Sequence, residues 1–175
     1  MKTSSLFFLF VGLFSLTLFS ACGNDDDSDD ATPNSRITID GVDYELTKGF
    51  LESDEGFDPD TFDAFVYLAG DGISADQGGD FTGRGPFVVL SFVTSAEDAL
   101  PNGTYTVVDE TFDGAGAVVD ADFSMDLEVG LDDALIGTTV TVSGTDTAKE
   151  ITLNFTRQNG SSGSLNFVGA LQLLD

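Results

Sequence analysis

From Arg36 to Asp175 the chain repeats one pattern: apolar and polar residues alternate over short runs, broken by Gly, Asn and Asp. That period of two places alternate side chains on opposite faces of a strand, and no window sustains helical periodicity. The sharpest case is Ile37-Thr38-Ile39, then Asp40-Gly41, then Val42-Asp43-Tyr44-Glu45-Leu46. Asp-Gly suits a two-residue type I′ turn, whose central residues both take positive φ. The turn pairs Ile39 with Val42 and Ile37 with Tyr44, leaving Thr38, Asp43 and Glu45 on the other face. Phe62 to Ala69 and Pro86 to Val93 are apolar on both faces, as central strands covered on both sides would be. Ser95 to Leu100 reads as a helical turn, closed by Pro101-Asn102-Gly103 before a strand from Thr104 to Val108. Val119 to Val129 alternates, with Val119, Ala121, Phe123, Met125, Leu127 and Val129 inward and Asp120, Asp122, Ser124, Asp126 and Glu128 outward. A closing meander points Val140/Val142, Ile151/Leu153/Phe155 and Leu165/Phe167/Leu171/Leu173 inward, with turns at Gly144–Ala148 and Asn159–Gly163. About nine strands at this spacing predict an all-β fold, a single antiparallel β-sandwich or flattened barrel. Eleven Phe within it make a core large enough to need no disulfide.

The residues before Arg36 follow other rules. Leu6 to Phe19 is an almost unbroken apolar run of fourteen residues after a single Lys2. It falls short of the roughly 20 residues that span a bilayer and fits the hydrophobic core of a secretory signal. Phe19-Ser20-Ala21-Cys22 resembles the lipobox of bacterial lipoproteins, with Phe19 standing where a Leu is usual. The resemblance implies cleavage after Ala21 and a Cys22 that becomes the lipidated N-terminus, with enough acyl chains for stable anchoring. Gly23 to Ser35 holds five Asp and almost no apolar side chain, so it is expected to be a disordered, extended linker reaching roughly 45 Å. An Asp run soon after the cysteine resembles the surface-export signal of lipoproteins in Bacteroidota. The expected organisation is a signal peptide over 1–21, lipidated Cys and linker over 22–35, and the β domain over 36–175.

Composition removes several chemistries. The chain has no His, one Cys, 31 acidic and 6 basic residues, for a formal charge of -25. Ser-His-Asp and Cys-His nucleophiles, His acid–base steps and Cys/His zinc sites are closed. Nucleic acid is excluded as a partner, because phosphate binding needs clustered Lys and Arg. Without the signal and linker, 26 acids against 5 bases leave the β domain at -21. Carboxylates, hydroxyls and oxygen-ligated hard cations remain.

The run Ile37 to Leu46, then Gly49-Phe50-Leu51-Glu52, the strand ending Asp71-Gly72-Ile73, Leu100-Pro101-Asn102-Gly103-Thr104-Tyr105 and the Gly-rich closing meander together resemble a group of small Bacteroidota surface lipoproteins. The likeness covers nearly the whole mature chain. It implies the fold and the address, and no mechanism.

Four local features point to chemistry. Asp54, Glu55, Asp58, Asp60 and Asp63 crowd one expected loop, and Asp54, Asp58, Asp60 and Asp63 offer the oxygen ligands a calcium ion (Ca2+) takes. The full calcium-loop spacing is absent, and Pro59 restricts Asp58 to extended conformations. A solvated acidic loop is the simpler reading. Asp120, Asp122, Asp126 and Glu128 share a strand face at roughly 6.5–7 Å steps, near the carboxylate separation of retaining glycosidases. An exposed face whose charges deter edge pairing explains them as well. Arg84, between Gly83 and Gly85, has no following helix to make a phosphate loop. Asp146-Thr147-Ala148 resembles the short O-glycosylation motif of Bacteroidota, which implies Thr147 as the acceptor. The sequence thus predicts a non-enzymatic, lipid-anchored outer-membrane domain, displayed at the surface or facing the periplasm. It would serve binding, adhesion or envelope structure, with an extracellular glycan or protein as ligand and the membrane reached through its lipid. A carboxylate enzyme acting on glycans and a small-ligand-carrying β-barrel are the alternatives.

Overall fold

The structure is a computed structural model, described over residues 35–76, 79–107, 116–128, 130, 133–157 and 159–174. Ala21, Cys22 and the linker up to Asn34 lie outside these residues. The described residues belong to the unit Pro33–Asp175. They form twelve strands: β1 (Arg36–Ile39), β2 (Val42–Glu45), β3 (Lys48–Glu55), β4 (Phe62–Ala69), β5 (Ile73–Ala75), β6 (Phe81–Thr94), β7 (Gly103–Val107), β8 (Ala117–Asp126), β9 (Asp133–Thr145), β10 (Ala148–Arg157), β11 (Ser162–Gly169) and β12 (Gln172–Leu173).

All strands belong to one hydrogen-bonded path, β12-β3-β4-β6-β8-β7-β9-β10-β11-β1-β2, with β5 added on β6 and a further β8–β9 pairing. The all-β expectation holds, with twelve strands in place of about nine. The sheet is mixed, not purely antiparallel, because β12 runs parallel to β3 and β7 parallel to β8. The additional strands are β3, β5 and β12. Lys48–Glu55 mixes charged and apolar residues without clean alternation, and β5 and β12 hold only three and two residues.

The first hairpin follows its turn chemistry. Asp40 and Gly41 both take positive φ, 53° and 77°, and Ile39 pairs with Val42 and Ile37 with Tyr44. Ile37 and Ile39 are buried, whereas Val42 on the outer strand is 52% exposed. The Ser95–Leu100 segment forms bends and turns, with no helix. Asp98 sits there at φ 54°, which interrupts any right-handed helical run.

Two short links fix how the path is arranged. Leu46 and Thr47 alone join β2, at one end of the path, to β3 near the other, and Ala170–Leu171 join β11 to β12 in the same sense. The sheet therefore curls until its two ends are neighbours. Phe167 of β11 lies against Gly49 of β3, where a Cβ would stand 2.7 Å from the ring. Inside the curl one core cluster draws on β1, β3, β4 and β6–β11, with Ile37, Leu51, Val66, Leu90, Phe92, Tyr105, Phe123, Val140, Leu153 and Phe155 among its members. The meander's Val140, Val142, Ile151, Leu153, Phe155, Leu165 and Phe167 point into it as predicted. Leu171 packs partly against it, but Leu173 is 44% exposed, being in the two-residue β12 at the margin of the sheet.

The predicted alternation over Val119–Val129 needs a correction as well. The β6–β8 register shifts between Ser91 and Phe92 and again between Arg84 and Phe87. Each bulge changes which residues of the pair face inward. Val118, Ala121 and Phe123 are inside, Met125 is 42% exposed, Ser124 is buried, and Leu127 packs in a second cluster. The side chains of Val119 and Val129 lie outside the described residues.

Candidate functional site

The second cluster covers the sheet from outside. Phe50, Ala69, Ile73 and Phe87 form its buried part, with Tyr67, Phe81, Val89, Leu127 and Leu174 packed against them. It exists because β6 is fourteen residues long and its first part, paired with β5, extends beyond the ladder to β4. Phe81 thereby reaches the rings of Phe50, Tyr67 and Phe87, at centroid separations of 5.4, 4.6 and 4.9 Å. The fold-back demands glycine at Gly72 and Gly83. A Cβ on Gly72 would collide with the Arg84 carbonyl oxygen, and one on Gly83 with that of Gly72. Lys48 clamps the same corner by donating from Nζ to the carbonyls of Asp71 (3.2 Å) and Ile73 (2.7 Å).

Beside this cluster the outer face of β3, β4, β6 and β8 stays open. Register aligns its side chains in rows, because directly paired residues point to one face. One row runs Glu52–Phe65–Ser91–Asp120, the next Phe50–Tyr67–Val89–Asp122. Glu52, Phe65, Tyr67, Val89, Ser91 and Asp122 are half-buried, and Asp120 is exposed. Phe65 packs into neither core cluster. Above it Asp54 pairs directly with Asp63, two like charges side by side on the same face.

The electrostatics of this face are unrelieved. Tyr67 Oη donates to Glu52 Oε2 at 2.7 Å. Burial, then this bond and the charges of Glu52 and Asp54, hold its hydroxyl well above the usual phenol range. The Asp122 carboxyl is pushed up to about 6 by desolvation first, then by the charge of Asp120 and a hydrogen bond with it. Asp122 therefore holds its proton more readily than a solvated carboxyl does. The cations of the described residues are engaged elsewhere. Arg36 pairs with Asp43, Arg84 with Asp126 and Glu128, Lys149 with Asp146, and Arg157 with Asp40. Among the described residues no ion pair reaches Glu52, Asp54, Asp63, Asp120 or Asp122.

The sequence-predicted groups fare differently. Asp126 and Glu128 are separated from Asp120 and Asp122 by function, since the Arg84 guanidinium takes both, at 3.0 and 2.9 Å. The four proposed calcium ligands do not converge: Asp54 and Asp63 face each other on the strands, while Asp58 and Asp60 sit in the turn beyond. Thr61 closes that turn, its N–H and Oγ1 both donating to the Asp58 carbonyl. Among the described residues no group of three or more acids is arranged to hold a metal. The turn walls an open hollow of about 350 Å³ from Glu55 to Phe62, and its Phe57 is 98% exposed. Thr147 stands exposed at the β9–β10 hairpin tip, its Oγ1 3.2 Å from that of Thr145. Cys22 and Ala21 lie outside the described residues.

Sequence reasoning missed the Phe65 face. Its signal was present: in FDAFVYLA, Asp63, Phe65 and Tyr67 share one parity while Ala64, Val66 and Leu68 take the other. Their cross-strand partners on β3 and β8 needed the register. Comparison with known proteins adds no identity: no family model, curated protein or solved structure matches the chain.

Proposed function

We propose that the chain is a non-enzymatic binding module, held at the outer membrane through lipid on Cys22 and presented on the acidic linker, with the Phe65 face as its contact surface. One observation carries the reading: a half-buried ring stands outside both cores, between acids that no ion pair among the described residues reaches. A side chain placed so is poor for stability and suited to contact. Pull-down and glycan-array experiments comparing wild type with Phe65→Ala test it: binding lost with the ring supports the reading, and identical profiles reject it. Radiolabelled palmitate entering the wild type but not Cys22→Ser, and protease shaving of intact cells, test anchor and display separately. An intact mass of the native protein equal to the bare lipoprotein would reject modification at Thr147.

A carboxylate enzyme acting on glycans is the second reading, favoured by Asp122 alone. A carboxyl with its pKa raised to about 6 by burial beside a second carboxylate is suited to act as a general acid. It requires that Asp122→Asn abolish hydrolysis of a glycan substrate while binding to that glycan persists.

A further inference from the structure

We infer that the Phe65 face takes an extended peptide segment bearing two cationic side chains, Arg or Lys, with an apolar or aromatic residue between them. The inference rests on the reading of this face as a binding surface and gives it a class of partner. Three features of the face set the chemistry.

Charge comes first. Glu52 and Asp54 lie on one side of Phe65 and Asp120 and Asp122 on the other, and no ion pair among the described residues reaches any of them. Asp54 stands directly opposite Asp63 on the paired strands, and the charge of Asp120 acts on Asp122. A cation brought to either side relieves repulsion as well as adding attraction, so charge complementarity selects a positive partner over a neutral or anionic one.

The centre comes second. Between the acids lie the rings of Phe65 and Tyr67 with Val89 and Ser91. Tyr67 is held by its bond to Glu52 and by ring contacts with Phe81 and Phe87. Such a platform receives an apolar side chain or the flat side of a guanidinium.

Spacing comes third. Glu52 and Asp120 stand three strand separations apart, roughly 14 Å at about 4.8 Å each. An extended peptide covers that distance in about four residues at roughly 3.4 Å each. Cations at positions i and i+4 then point to the same face, with position i+2 between Phe65 and Ser91.

The test uses fluorescein-labelled Arg-Gly-Phe-Gly-Arg-amide, measured by anisotropy against the full chain in detergent at about 0.1 M salt, where the Debye length is about 10 Å. Binding is expected to weaken about tenfold in Phe65→Ala and in the double variant Asp120→Asn/Asp122→Asn. The double variant Glu97→Gln/Glu150→Gln, which removes equal charge elsewhere, is expected to stay within about twofold. Circular dichroism melts establish that each variant is folded. Equal losses in the two double variants, with no effect of Phe65→Ala, would reduce the interaction to general charge attraction and overturn the inference. So would equal binding of the charge-reversed Glu-Gly-Phe-Gly-Glu-amide. If the Arg peptide fails while a glycan-array signal disappears in Phe65→Ala, the partner class is wrong and the binding face stands. Should both assays stay blank, the binding reading falls with it.

Discussion

The outer surface of the sheet has two regions built on the same interior. Over β3, β4, β6 and β8 it carries aromatic rings and the carboxylates of Glu52, Asp54, Asp63, Asp120 and Asp122, which no ion pair among the described residues reaches. Over β9, β10 and β11 it carries hydroxyls and amides: Thr141 opposite Thr152, Thr152 opposite Asn166, Asn154 opposite Ser164, and Ser143 donating to Glu150 at 3.2 Å. The second region is what a solvated face needs, since each polar group is small, neutral or paired and cross-strand hydroxyl pairs add modest stability. Opposed like charges and a ring outside the core do not serve stability. The difference teaches that the inner face specifies the fold, while the two outer faces answer to different demands.

Four measurements break or sharpen this comparison. The largest effect should be shared by both regions. Phe92→Ala beneath the aromatic region and Phe155→Ala beneath the hydroxyl region each remove a ring from one cluster, and denaturant unfolding should show each losing about 3–5 kcal/mol. A cost for Phe155→Ala below about 1 kcal/mol would mean that the two regions do not share a core. On the outside the regions should part. Phe87→Ala, in the aromatic cluster, should cost about 2–4 kcal/mol, and Thr152→Ala no more than about 0.5 kcal/mol. Similar values for the two would erase the distinction.

A smaller effect concerns pH. Asp122 has its pKa raised from 3.8 to about 6. The folded state therefore holds the proton more tightly than the unfolded chain does between those values. Stability from this group is full below about pH 4 and is lost as pH rises through about 6. The group is partly exposed, so after solvent screening the loss is about 1 kcal/mol or less. Asp120 on the same strand is the charge that faces it, and Val89 and Ala134 are its neutral partners on β6 and β8's other neighbour, β9. Melting curves should find Asp122→Asn more stable than wild type at pH 7, with the difference vanishing near pH 4. A constant difference across that range would mean that the Asp122 carboxyl is not shifted upward by its surroundings. The smallest effect is expected for Arg84→Gln. Its guanidinium is 71% exposed, so both ion pairs together should contribute no more than about 1 kcal/mol. Hydrogen exchange should quicken in β5 alone if these pairs hold the fold-back in place.

Much of the fold was legible where one residue type forces one geometry. Asp40-Gly41 fixed its turn and register, and the meander's alternation fixed seven inward residues. The bulges at Ser91/Phe92 and Arg84/Phe87 were not legible, because a shift of parity in β8 is decided by its partner strand. Met125 shares the parity of the buried Ala121 and Phe123 but stands next to the last residue of β8, where it is 42% exposed. β12 is too short for its own pattern and exists through its parallel pairing with β3. The acidic groups show the same limit. Asp126 and Glu128 looked equivalent to Asp120 and Asp122 along the strand, and only the position of Arg84, brought back by the fold of β6, separates them.

The entry of the chain into β1 has a mechanical consequence. Ser35 is nearly buried, its hydroxyl donating to the Val168 carbonyl at 3.0 Å and accepting from the Val168 N–H at 2.8 Å. The strand that follows is flanked on both sides, by β11 and by β2. Tension applied through the residues before Ser35 meets this double bond first and then runs along β1, loading two ladders in shear rather than opening them one bond at a time. The chain thus enters the sheet held by two hydrogen bonds to Val168 and by ladders on both sides of β1.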